Sequence, residues 1–165
     1  MKNFGEIEFW FAMVKIVSIL ALIAVGAVMV VFGFTSPDGT VASITHLWDR
    51  PGPSGNGVFI HGLTGFLGSF QIALFAFVGA ELVGTAVAET KNPERTLPRA
   101  INAVPLRMVL FYVLPLSAIL AVTPWDKLDL NMSPFVGMFS LAGVSIAASL
   151  INFVVLTSAT SSANS

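Results

Sequence analysis

The chain contains no cysteine, which excludes disulfides and every metal site built on thiolates. Charge is also scarce. Asp, Glu, Lys and Arg make up 10% of the 165 residues, against about a quarter in an ordinary soluble domain. Eight Lys and Arg balance nine Asp and Glu for a net charge of −1, so no polyanionic partner is implied and nucleic acid is not expected. Of two histidines, His46 and His61, each falls in or beside a Gly/Pro-rich connection, and neither has a ligand spacing such as H-x-x-x-H. No metal or cofactor is expected. No nucleophile–base pair and no second intramembrane carboxylate is present, which argues against an enzyme.

What is abundant is apolar surface, at 55% of residues. That balance points to lipid as the solvent. A helix needs about 20 apolar residues to cross a bilayer, and four stretches qualify: 9–34, 63–88, 103–122 and 134–165. The fold class expected is an all-α membrane protein with four transmembrane helices. The first stretch is too long for a signal-peptide core. Trp10, Trp48 and Trp125 lie near span ends or in connections, where an aromatic belt would put them. Residues 35–62 hold Pro37, Pro51, Pro53 and many glycines and read as a loop; 123–133 reads as a short turn. The run 89–99, ETKNPERTLPR, is the most charged in the chain. Asn92, Pro93 and Glu94 in it read as a helix start. Lys91, Arg95 and Arg99 put this loop in the cytoplasm by the positive-inside rule, with loops 35–62 and 123–133 outside and both termini inside. The chain starts almost at a span, and it ends in SATSSANS without a basic stop. These features lead us to expect further helices to cover its polar faces.

Three features inside the spans carry possible chemistry. In FAFVGAELVG, Glu81 stands mid-span, where a charge costs about 3 kcal/mol and must face protein or water. Gly79 and Gly84 weaken the helix around it. One reading is a helix broken near Val78–Ala80 whose freed carbonyls, at Phe75, Ala76 and Val78, take a substrate ammonium group. The other is close helix packing with Glu81 in a structural hydrogen bond. Lys15, inside the first span, either snorkels to the interface or is a buried amine that titrates or stands in for a coupling cation. In LTSATSSANS, Thr157, Ser161 and Ser165 share one helix face and Ser158 and Ser162 a neighbouring one. These hydroxyls either glue helices together or line an ion path. Pro115 reads as a kink in the third span.

The segments FGEIEFWFAMVKIV, FAFVGAELVGTAVAETKNPERTLPRAIN and NFVVLTSATSSANS resemble bacterial amino-acid permeases of the amino acid–polyamine–organocation superfamily, over essentially the whole chain. The resemblance implies part of a LeuT-like inverted-repeat transporter, spans five to eight of twelve, with the remaining spans of the permease as partners. It implies proton symport of small amino acids (glycine, D-alanine, D-serine) across the bacterial inner membrane. Phe75, Ala76, Val78 and Gly79 would then bind substrate, with Phe75 closing over it. Lys15, Glu81, Ser158 and Ser161 would serve coupling or gating. The alternatives are a permease of the same family for another amino acid, and a non-transporting membrane scaffold or dead fragment.

Overall fold

The computed structural model describes residues 2–52, 55–56, 59–76, 92–144, 146, 149 and 151–156. The chain divides into two compact units, Met1–Leu47 with Pro115–Ser165, and Trp48–Leu114. Helices dominate both.

In the first unit, α1 runs Lys2–Val31. Its apolar residues surround the helix almost evenly, as expected for a helix solvated by lipid rather than by water. One stripe is nonetheless singled out by burial: Leu22, Gly26 and Met29 are buried, and the spacing of four and three keeps them on one face. The helix stops where Gly33 takes φ 61°. Gly33 N–H donates to Val30 O, and Phe34 N–H reaches back to Met29 O, so the last turn's carbonyls are satisfied by a glycine-closed cap. The sequence expectation carried this helix to Phe34; glycine's access to the left-handed region ends it at Val31. Phe34 then folds back onto the core.

The chain next makes a tight turn. Ser36 N–H donates to Thr40 O, Gly39 N–H to Ser36 O, and Thr35 bridges Val41. Pro37 ahead of Asp38 and a left-handed Gly39 (φ 80°) fit this turn chemistry. A short 3-10 turn, Ile44–Leu47, follows. Helix α4, Leu114–Val122, meets this connection at its C-terminal end. The Ala121 carbonyl accepts from Ser43 N–H at 2.9 Å and faces His46 Nδ1 at 3.1 Å, which satisfies a helix-end acceptor that α4 leaves open.

The core of this unit joins Leu22 and Met29 of α1 to Ile119 and Val122 of α4, with Met138, Phe139 and Ile151 completing it. Met138 and Phe139 belong to α5, Pro134–Leu141, which opens with proline in its first turn. Helix α5 closes as α1 does. Gly143 takes φ 77°, its N–H bonds to Ser140 O, and Val144 N–H bonds to Phe139 O. Eight residues rise only about 12 Å, so the stretch expected to run as one span from Pro134 is interrupted. Helix is present again at residues 151–156.

In the second unit, β1 (Pro51–Gly52) pairs antiparallel with β2 (Gly55–Asn56). Gly52 is required there, because a Cβ would overlap Ile60. Helix α2, Gly62–Ala76, begins beside an edge-to-face ladder of Phe59, Phe66 and Phe70 with centroids 5.2 and 5.5 Å apart. Helix α3 is Pro93–Met108. It starts at the Asn92-Pro93 signal, yet the Asn92 side chain makes no cap bond; its carbonyl instead accepts from Thr96 N–H and Oγ1. The helix therefore begins ten residues before the expected span.

A π-helical turn, Val109–Val113, follows α3, and Leu114 N–H donates to Val109 O. Pro115 has no N–H to offer and its ring crowds the preceding turn. Widening that turn is one way to accommodate it. Among the described residues two helices are long and apolar enough to cross a bilayer, Phe9–Val31 within α1 and Glu94–Val122.

Gly26 sits at a close helix approach in the first unit. A Cβ added there would stand 2.9 Å from Ala118 Cβ of α4 and against Met138 Cε of α5. Gly26→Leu is expected to lower the thermal midpoint of the detergent-solubilised protein, since overpacking costs about 1–3 kcal/mol. Gly26→Ala should do so less, because the Met138 thioether can swing aside and only the approach to Ala118 then has to be relieved by a small helix shift. An unchanged midpoint in Gly26→Leu would contradict this packing.

Candidate substrate and coupling sites

The residues singled out from sequence fall in three places. Phe75 and Ala76 are the last described residues of α2. Val78, Gly79, Glu81, Ser158 and Ser161, with the helix break expected near Val78–Ala80, lie outside the described residues. Lys15 lies in α1 and is half-buried.

The position of Lys15 on its helix is informative. It precedes Leu22 by seven residues, two turns, so it belongs to the same face as Leu22, Gly26 and Met29. That is the face α1 buries against protein. Among the described residues Lys15 has no ion-pair or hydrogen-bond partner. One turn further on, Ser18 Oγ donates to Val14 O at 2.8 Å, so that hydroxyl is spent on its own helix.

A second polar locus was not anticipated from the sequence. A cavity of about 310 Å³ lies between the turn after α1 and the segment joining α4 to α5, lined by Ser36, Asp38, Thr40, Lys127, Asp129 and Ser133 among others. Lys127 Nζ donates to Asp38 Oδ2 at 2.7 Å and also to Thr40 Oγ1. Thr40 Oγ1 in turn donates to Asp38 Oδ2 at 3.0 Å. Lys127 and the Thr40 hydroxyl hold the Asp38 carboxyl at about 2, below its usual 3.8. Asp129 is used locally: its Oδ1 accepts from the Asn131 backbone at 2.8 Å. The signals that could have revealed this locus were present as SPDGT, a proline–glycine turn that presents Asp38, and TPWDK, which starts a 3-10 turn at Trp125–Lys127. Their pairing, 89 residues apart, had no local signature.

These groups form a clamp between two connections. They contain no nucleophile beside a base. Among the described residues no group of three His, Asp or Glu is placed to hold a metal ion.

Comparison with known proteins decides the family. The amino acid permease family model matches residues 1–165. The chain belongs to the amino acid permease family. It is 59% identical over 165 residues, all of this chain and 34% of the relative, to the D-serine/D-alanine/glycine transporter of Escherichia coli. It is 52% identical to the amino-acid permease AapA of Bacillus subtilis, over all of this chain and 34% of that protein. It is 44% identical to a DL-alanine permease of Lactococcus lactis, over 99% of this chain and 34% of that protein. The chain thus spans about a third of the length of the relatives it matches. No solved structure matches it. The names of the family and of these relatives are those of transporters and permeases, not of enzymes.

The side chains of Lys127 and Asp38 are 37% and 50% exposed, so salt screens the pair and its loss should leave the permease folded. Its pH dependence has a definite sign. The folded carboxyl titrates at about 2 and the unfolded one near 3.8, so the contribution is present above about pH 4 and lost as pH falls toward 2. Asp38→Asn is expected to flatten the part of acid unfolding that falls between pH 4 and 2, followed by tryptophan fluorescence. An acid profile identical to that of the parent would contradict the clamp.

Proposed function

We propose that this chain forms part of a permease that imports small amino acids, glycine, D-alanine and D-serine, by proton symport. The observation that carries the reading is the 59% identity over every residue of the chain to a protein named D-serine/D-alanine/glycine transporter. In this reading the permease sits in the bacterial inner membrane and has a LeuT-like inverted-repeat fold. The chain supplies four of its spans, with loop 89–99 in the cytoplasm and loops 35–62 and 123–133 outside. The Asp38–Lys127 bond supports that arrangement, since it ties together the two loops assigned to the outer side.

Substrate would bind at the segment around and after Ala76. Backbone carbonyls near Phe75, Ala76, Val78 and Gly79 would receive the ammonium group, and Phe75 would close over it. Freed carbonyls at a helix break suit an ammonium ion because they concentrate acceptor dipoles without a fixed charge. Glu81, Lys15, Ser158 and Ser161 would serve coupling. The half-burial of Lys15 and its place on the helix face that carries Leu22, Gly26 and Met29 support this role, although the lysine stem could also reach the interface. A second reading within the family, transport of another amino acid, is favoured by the identity to a DL-alanine permease.

The test uses the full-length permease that carries this chain, expressed in cells lacking their own small-amino-acid permeases. D-alanine uptake is expected to be suppressed by excess glycine and D-serine and unaffected by excess proline or phenylalanine. Suppression by L-alanine and L-serine alone would favour the second reading. Glu81→Ala should abolish accumulation, and survival of proton-dependent accumulation would remove Glu81 from coupling. Lys15→Met should weaken the proton dependence of uptake more than the affinity for D-alanine. Equal losses in both would make Lys15 structural.

A further inference from the structure

We propose that the arginine face of α3 is a binding surface for anionic phospholipid headgroups. Helix α3 carries three cations, Arg95, Arg99 and Arg107, and one acid, Glu94. All three arginines are exposed. Among the described residues no carboxylate pairs with them. At 3.6 residues per turn they occupy one arc of about 120°. The opposite arc carries Leu97, Ile101 and Val104, with Glu94 at its start.

The length of the helix fits them to one layer of the bilayer. Glu94–Val122 has 29 residues, roughly 43 Å at 1.5 Å each. That exceeds the hydrocarbon core of about 30 Å and matches core plus headgroups. If the apolar run 103–122 fills the core, Arg99 stands about 6 Å outside its edge and Arg95 about 12 Å outside, by the same rise. Arg107 stands about 6 Å inside, and its stem is long enough to return the guanidinium to the edge. Three guanidinium groups therefore converge on the headgroup layer. Guanidinium forks pair two-pronged with phosphate oxygens, which gives them a preference for phosphate beyond simple charge. Net negative headgroups complement a face of three cations. The inference rests on the membrane setting of the family and not on the proposed substrate or coupling ion.

The experiment measures lipid retention, which needs no transport. The full-length permease is reconstituted in phosphatidylcholine containing phosphatidylglycerol, extracted gently, and examined by native mass spectrometry for bound phosphatidylglycerol. The triple variant Arg95→Gln, Arg99→Gln, Arg107→Gln is expected to lose several-fold of the retained lipid, while Lys127→Gln, an exposed cation elsewhere, keeps it. Should the triple variant not fold, Arg95→Lys with Arg99→Lys serves instead: it keeps the charge, loses the fork, and is expected to give an intermediate loss. Retention unchanged in whichever variant folds would overturn the proposal. So would an equal loss in Lys127→Gln. A parent that holds no phosphatidylglycerol would also overturn it and would assign the arginines to an acidic protein surface.

Discussion

Gly26 is the point on which the first unit depends. Because it has no side chain, α1 comes within van der Waals contact of Ala118 on α4 and of Met138 on α5. In lipid, apolar side chains gain nothing by leaving the solvent, so helices associate through close packing and hydrogen bonds. Small residues at a crossing are what make such packing dense. Leu22 and Met29 then close the crossing from either side along α1. Lys15 stands two turns before Leu22 on the same stripe. The half-buried lysine thus shares the helix face on which the helices pack.

The second constraint is the satisfaction of backbone groups where helices end. Gly33 and Gly143 each adopt a left-handed conformation, and each lets two N–H groups fold back on the last turn. The Ala121 carbonyl finds its donors in Ser43 and His46 of the connection that leaves α1. Those bonds, with the Asp38–Lys127 clamp, fix that connection over the end of α4. Pro115 poses the same problem inside a helix, since it removes a donor, and the π-helical turn before it is the local adjustment.

The apolar runs made two membrane-length helices legible in the sequence, those of Phe9–Val31 and Glu94–Val122, since lipid solvation demands long apolar segments whatever their packing. The family was legible too, through motifs such as the run from Phe75 to Asn102. Less legible were the exact ends. The stop at Val31 and the break after Leu141 depend on which of several glycines takes a positive φ, and composition does not distinguish Gly33 from Gly26. The early start of α3 at Pro93 was written in Asn-Pro-Glu, but the cap uses the Asn92 carbonyl and Thr96 rather than the Asn92 side chain. Of the candidate site residues, Lys15 stood out in the sequence as a charge within an apolar run, while the helix face it shares became visible only with the burial of Leu22, Gly26 and Met29. The Asp38–Lys127 clamp was not legible at all, because long-range pairing of exposed charges leaves no local pattern.

Membership of the amino acid permease family points to membrane transport, and the proposal adds what would drive it. In that proposal Lys15 and Glu81 are the groups that would carry coupling to the proton. The most direct measurement is proton movement during transport. Proteoliposomes holding the full-length permease, with no imposed gradient and no sodium, are given external D-alanine while external pH is followed. The account predicts an immediate alkalinisation that scales with D-alanine entry and is absent for amino acids that do not enter. Entry without any pH change, or entry that begins only on addition of sodium, would contradict it.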